Sequence, residues 1–292
     1  SEGEINSIEE VRVDDKVVTF ASSLSDGTEV EVGSGDSNFY KNSESLIRIE
    51  PHFGTDNQSA SDLLSTLSSW GSNHRLRGIC YLALRFKWNQ DAFTGIPKVQ
   101  AKIKGKKVVT LASNLSEQTA SFSTNPAFCL LDYLRNERYG KGIATSEIDL
   151  QSFYDASQVC VTQVTPYSGA SDINIFDTNT VLDTSQKIID NVRELLKGCR
   201  GYLPYTGGKY KLIIETTGTA SITLTEDDII GGYNLSIPTK NERYNRVIVG
   251  FVNPDRNYQV DEVQFPPIDD SGLASADQHA TMKTADGGFL LE

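Results

Sequence analysis

Histidine is scarce in this chain, at three of 292 residues, and methionine (one) and tryptophan (two) are scarcer. His52, His74 and His279 stand in unrelated contexts with no Cys or Glu at ligand spacing. Each therefore reads as a surface or structural side chain, not as a base or metal ligand. The four cysteines, Cys80, Cys129, Cys160 and Cys199, are scattered, and without a C-x-x-C pair they signal neither a zinc site nor a dithiol redox couple. Apolar neighbours such as Ile79, Phe128 and Leu130 mark them as reduced, buried thiols behaving as small hydrophobes. Long apolar runs are absent as well. Ile79–Leu84 is among the longest, against the ~20 residues that a membrane helix needs. No basic-then-apolar leader opens the chain. It begins Ser1-Glu2-Gly3 and its single methionine is Met282, the pattern expected of a piece cut from a longer protein.

Positive charge is also in deficit. The chain has 39 acidic against 27 basic residues, a formal charge of −12, which argues against stable nucleic-acid binding. One short patch, Lys98, Lys102, Lys104, Lys106 and Lys107, breaks the trend and reads as a solvated face of a strand and turn.

Motifs of catalysis are missing. There is no Gly-x-Ser-x-Gly elbow, and neither Gly33-Ser34-Gly35 nor Gly231-Gly232 leads into Lys-Ser or Lys-Thr. Glu226-Asp227-Asp228 and Asp269-Asp270 lack the alternating order of a calcium loop and read as helix capping and loop solvation. Asp26 and Asp36 read as turn residues. Tyr202, Tyr205, Tyr210, Tyr233, Tyr244 and Tyr258 invite a sugar-binding reading, but tyrosine in strands ordinarily covers a sheet face. No catalytic, cofactor-binding or metal residue is assigned, and no enzymatic activity is expected.

What the chain does have is punctuated periodicity. Val11 and Val13, then Val17, Val18 and Phe20, flank the turn Asp14-Asp15, and Asp26-Gly27 leads into alternating Thr28, Val30 and Val32. Ile47–Glu50 is a strand. Gly54-Thr55-Asp56 turns into a polar helix, capped by Asn57 or Ser59, with Leu63, Leu64 and Leu67 on one face. Trp70 packs in the core or on its rim. Gly78–Trp88 is a long strand, and Val99, Ala101 and Ile103 form another that ends at Lys104-Gly105-Lys106.

The middle of the chain turns helical. Asn125 caps a helix with Pro126 at its first position, and Ala127, Leu130, Leu131 and Leu134 form the buried face. Arg135 and Arg138 occupy its last turn, and Gly140 and Gly142 stop it. Thr145 or Ser146 caps a second helix burying Ile148, Phe153 and Tyr154. Val159, Val161 and Val164 read as a strand, and Pro166–Phe176 as a polar turn region. Asp183 or Thr184 caps a third helix with a stripe of Ile188, Ile189, Val192, Leu195 and Leu196, ended by Gly198 or Gly201. Tyr202–Tyr205 and Tyr210–Ile214 flank Thr206-Gly207-Gly208-Lys209, a hairpin signal. Thr225–Ile229 is a capped helical turn. Asn245–Asn253 is a strand, Tyr258, Val260 and Val263 alternate after it, and the end from Pro266, including Ala285–Leu290, shows no obvious structure.

Four strings are more particular than their periodicity. They are Gly54-Thr55-Asp56-Asn57-Gln58 followed by Trp70, the Gly78 strand and Ile96-Pro97; Asn125-Pro126-Ala127 with Asp132-Tyr133-Leu134 and Asn136-Glu137-Arg138-Tyr139-Gly140-Lys141-Gly142; the helix and Gly207-Gly208-Lys209 hairpin; and Asn245-Arg246-Val247 closing on Asn253-Pro254-Asp255. In this order they resemble the tail-tip proteins of long-tailed phages, the family of the lambda tip attachment (host-specificity) protein. The opening Glu2-Gly3-Glu4-Ile5 adds a weaker likeness.

The resemblance implies a structural subunit of the virion, at the distal end of the tail. It would be the baseplate hub that closes the tail tube, made in the host cytoplasm, phage-borne or prophage-derived. It implies a homotrimer that meets the distal tail protein and the tape-measure protein, with DNA passing through and host recognition carried by further domains. The fold class expected is α+β: a β-rich, barrel-like hub interrupted by an inserted α+β domain. The expected segments are an N-terminal meander (1–46), a hub segment (47–111), the insertion (112–235), return strands (236–265) and a linker or next domain (266–292). The rivals are a carbohydrate-binding adhesin module and a cell-wall hydrolase, since glycoside hydrolysis needs only two carboxylates.

Overall fold

The computed structural model describes residues 3–165, 171–216, 218, 222–232, 234–237, 246–253, 256, 258–265 and 284–290. It is rich in short strands with few helices, and it divides into two compact units. The first is Ser1–Thr110 with Glu117–Ser123, and the second is Leu111–Ser116 with Thr124–Glu292.

The first unit holds β1 (Ile5–Val13), β2 (Lys16–Val17), β3 (Val30–Glu31), β4 (Tyr40–Lys41), β5 (Glu44–Ser45), β6 (Ile47–Phe53), β7 (Cys80–Phe86), β8 (Val99–Val108) and β9 (Ser121–Phe122). One sheet has the order β2-β1-β8-β9 and another the order β3-β6-β7. The Asp14-Asp15 turn forms as expected, both residues taking positive φ so that the strands close tightly. A register shift between Ile8 and Glu10 lets Ile8 and Val11, three apart, both enter the core. There they meet Ile5, Val30 and Ile49, with Leu82 and Leu84 at the margin. A second cluster gathers Val13, Val18, Val32, Phe39, Ile47 and Phe93. Phe39 and Phe93 stack with ring centroids 5.8 Å apart.

The structure corrects two readings here. β8 does not stop at Gly105 but runs on to Val108, because β1 pairs along it as far as Lys106 and β9 takes up Lys107 and Val108. Nor is there a helix with Leu63, Leu64 and Leu67 on one face. A single 3-10 turn, Leu64–Thr66, stands there, with Leu63 buried and Leu67 53% exposed. The amides of Asp62 and Leu63, which would open such a helix, instead bind the carboxylate of Glu50. Ser61, not Asn57 or Ser59, caps the turn by accepting from Leu64 N.

The second unit opens with α1 (Pro126–Arg135), as its signals predict. Asn125 Oδ1 accepts from Ala127 N, while its Nδ2 donates to Ser157 O at 3.0 Å. Ala127, Leu130, Leu131 and Leu134 are all buried. Next come α2 (Leu150–Cys160), β10 (Gln163–Val164), β11 (Ile173–Asn174) and α3 (Ile188–Lys197). Asp149 caps α2, since Thr145 and Ser146 lie in a separate 3-10 turn, and α2 runs through Val159, leaving only Gln163 and Val164 to form a strand. Ile148 and Phe153 are buried, whereas Tyr154 is half-buried.

The α3 stripe is narrower than its periodicity. Val192 and Leu195 are buried with Asn191 between α3 and α1, while Ile188 and Ile189 are exposed. Neither Asp183 nor Thr184 caps it. Asp183 Oδ1 accepts from Ser185 N, and α3 starts only after Lys187 without a side-chain cap.

β12 (Gly201–Tyr202) pairs with β15 (Ile213–Ile214), and β13 (Tyr205–Thr206) with β14 (Lys209–Tyr210). Gly207 and Gly208 both take positive φ, so the expected hairpin forms. Thr225 N and Oγ1 donate to Asp228, giving the expected capped turn. β16 (Arg246–Asn253) lies between β17 (Gln259–Phe265) and β18 (Thr284–Leu290). β18 is a strand parallel to β16, where the composition of Ala285–Leu290 offered no signal. The residues 166–170, Tyr233, Tyr244, Asn245, Pro254-Asp255, Asp269-Asp270, His279 and Met282 lie outside the described residues.

Asn125 serves as a cap and as a link between two helices, and it is buried. Asn125→Ala is expected to lower stability by about 1–3 kcal/mol, measured by urea unfolding.

Candidate functional site

The described residues contain no group of three or more His, Cys, Asp or Glu placed to hold a metal ion. The polar residues that the structure does concentrate lie within or beside the strings at Gly54 and Asn125. In the first unit Gly54 sits at φ 85°, and a Cβ there would stand 2.7 Å from Gly3 O. Its N–H donates to Gln58 Oε1 at 2.8 Å. Gln58, almost fully buried, donates from Nε2 to the carbonyls of Arg75 and Leu76, both at 2.9 Å, and of Ile79 at 3.2 Å. One amide side chain thus ties the start of the 54–79 loop to its end. Asp26, beyond its turn role, accepts from Phe53 N, and buried Asp36 accepts from Thr19, Asn38 and Phe39 N–H groups.

Beside this clamp lie Glu50, His52 and Ser61, each at most 1% exposed. Ser61 Oγ donates to Glu50 Oε2 at 2.5 Å, Leu63 N donates to the same oxygen, and Asp62 N donates to Oε1. His52 Nε2 is 3.1 Å from Glu50 Oε1, and because a carboxylate only accepts, Nε2 carries the proton. The His52 ring stacks on Tyr81 at 4.5 Å with an 8° interplanar angle. Serine, histidine and carboxylate together invite comparison with a hydrolytic triad, but the order is wrong. The carboxylate stands between Ser61 and His52, so the imidazole cannot take the serine proton, and no surface reaches the group.

Burial pushes the Glu50 carboxyl up, but the hydrogen bonds from Ser61, Leu63 and Asp62 outweigh it, and the carboxyl lies below its ordinary value. Burial raises the Tyr81 hydroxyl to about 12, with the Glu50 charge adding to it. Periodicity could not have found Glu50, which lies on the strand face opposite Ile47 and Ile49 and is buried only because the 61–63 loop covers it.

The second knot is the α1 terminus. The helix stops at Asn136, four residues before Gly140, and Arg138 lies beyond it. Asn136 Oδ1 accepts from Arg138 N and Tyr139 N, Tyr139 OH donates to Asp132, and Ile143 N returns to Leu134 O. Gly140 presses on the helix end so closely that a Cβ would fall 1.8 Å from Tyr133 O. Tyr133 OH accepts from Asn191 Nδ2 at 2.9 Å, which joins α3 to α1. Burial, then the bond to Asp132, raises the Tyr139 hydroxyl far above its ordinary value.

The remaining candidates resolve as follows. Lys102 and Lys104 pair with Glu9, Lys107 with Glu4 and Lys98 with Asp15, so acids in and beside β1 answer the lysines in and beside β8. Cys160 and Cys199 are buried, Cys80 and Cys129 half-buried, and none is in a disulfide. Burial lifts Cys129 and Cys160 to about 12 and Cys199 to about 11. His74 is exposed and stacks on half-buried Trp70 at 5.1 Å. Tyr205 and Tyr210 face each other across the hairpin, centroids 4.9 Å apart.

Glu50→Gln is expected to cost about 1–3 kcal/mol at pH 7. Because the folded carboxyl is depressed, that contribution is present above the unfolded value near 4.5 and is lost as pH falls through the lower folded value. Chemical unfolding from pH 7 to pH 3 should show the gap between wild type and variant closing. Gly140→Ala should cost about 1–3 kcal/mol or more, through overpacking against the Tyr133 carbonyl.

No family model matches the chain. It is 26% identical over 257 residues to the baseplate hub protein pb3 of Escherichia phage T5, covering 77% of this chain and 27% of that protein. It is 24% identical over 186 residues to the tip attachment protein J of Escherichia phage SECphi27, covering 58% of this chain and 15% of that one. The chain therefore spans less than a third of the length of these relatives. Among solved structures, a chain of the virion of a native gene transfer agent (GTA) particle matches with TM-score 0.52 at 12% identity, over 98% of this chain and 59% of that one. The GTA likeness speaks for the fold alone, while the likeness in sequence stands apart from it: this chain is a homologue of phage baseplate hub and tip attachment proteins.

Proposed function

We propose that the chain is part of the structural hub of a phage or prophage-derived tail tip, where it closes the tail tube and joins it to host-recognition domains. The observation that carries this reading is the 26% identity to the T5 baseplate hub protein across 77% of the chain. In this reading the chain assembles as a homotrimer, meets the distal tail protein and the tape-measure protein, and reaches the host receptor only through other domains. The strands of the first unit supply the hub, and the helices with the Gly207-Gly208 hairpin form a domain inserted into it. Both named relatives are tail proteins, and the Ser61–Glu50–His52 group has the wrong order for hydrolysis, so the role proposed is mechanical and not enzymatic. The pairing of the β8 lysines with acids fits a protein past which DNA moves without being held.

Immunogold electron microscopy, with antibody against this chain on particles from the source or its induced prophage, is the test. Label confined to the distal tail end is expected. Unlabelled tailed particles, with the antigen soluble in the same lysate, would refute the reading.

A further inference from the structure

Two long strands of the first unit lie toward the margins of their sheets. β8 pairs with β9 only at Lys107 and Val108, and Lys102, Lys104 and Lys106 stand along it. Lysine is a common guard against edge-to-edge association. β7, at the margin of the β3-β6-β7 sheet, carries no lysine, and its only charge, Arg85, follows the uncharged run Cys80-Tyr81-Leu82-Ala83-Leu84.

The direction of its main chain follows from the register. Lys87 N donates to Leu46 O, and Gly27 N reaches Pro51 O on the far side of β6. Pro51 lies opposite Leu82, and Ile47 opposite Phe86. Peptide groups alternate along a strand. Those of Tyr81, Ala83 and Arg85 therefore face β6, while those of Leu82, Leu84 and Phe86 face outward. No hydrogen bond engages these three outward groups among the described residues.

Charge adds a second observation. Arg85 lies directly opposite Arg48, and like charges so placed repel. Arg48 is answered by Glu31 at 2.5 Å and Glu29 at 3.1 Å. Arg85 is exposed and has no acidic partner among the described residues. A strand laid along β7 with a carboxylate beside Arg85 would satisfy both demands.

The chain itself carries such a strand. β17 is the margin of its own sheet, with Val260 59% and Val263 51% exposed and with Asp261 and Glu262 between them. We infer that β7 of one copy pairs with β17 of a second copy, Arg85 meeting Glu262. The contact joins two different surfaces, so it is head-to-tail and propagates into a ring when the rotation closes. The inference deepens the hub reading by naming the joint between copies.

The test is sedimentation velocity on the purified chain up to about 100 µM, a range that captures a micromolar contact. Self-association is expected, with the amides of Leu84 and Phe86 gaining hydrogen-exchange protection as concentration rises. Arg85→Glu and Glu262→Arg, both at exposed positions, should each weaken it about tenfold, and the double variant should restore it. A chain that stays monomeric, or one whose association ignores both charge reversals, overturns the pairing. The gold label decides the hub reading separately: a monomer still found at the tail tip sinks only the joint, and an associating chain absent from tails sinks only the hub.

Discussion

A long loop with little regular structure must still find partners for its main-chain groups. In the first unit, two buried side chains meet that demand for the 54–79 segment. Gln58 binds one amide and three carbonyls, and Glu50 binds two amides and a hydroxyl. A buried peptide group without a partner costs as much as a lost hydrogen bond, so removing either side chain would leave several exposed to that cost at once. The Gly54 turn depends on the same clamp, because its own N–H ends on Gln58. The second unit repeats the device with amides: Asn125 joins α1 to α2, Asn191 joins α3 to α1, and Asn136 closes the helix end.

These buried polar side chains also explain which parts of the sequence were legible. α1 could be read because its cap, its proline and its leucine spacing all agree. The Asp14-Asp15 and Gly207-Gly208 hairpins could be read because few residue types tolerate two successive positive φ angles. The errors came where a distant group overruled a local preference. Glu50 captured the amides that would have begun a helix near Leu63, and the neighbours of β8 carried it past Gly105. The α3 stripe is narrower than its spacing because Asn191, a polar residue, joins Val192 and Leu195 on the buried face and binds Tyr133 of α1. Val159 alternates like a strand with Val161 and Val164, yet it completes a helix whose cap lies ten residues earlier.

The recognisable strings gain a physical meaning from this. Gly54, Gln58, Asn125, Asn136 and Gly140 answer demands of the backbone, and Tyr139 binds Asp132 across the helix end. A likeness built on such residues speaks first for a shared fold. Surface chemistry is free to vary around it.

The thiols of the second unit carry a consequence for exposure to air. Three of the four are lifted to about 11 or 12, so at neutral pH they remain protonated, whereas the thiolate is the form that attacks disulfides. At these three positions the attacking form is therefore scarce, and disulfide exchange through them is slow under neutral conditions.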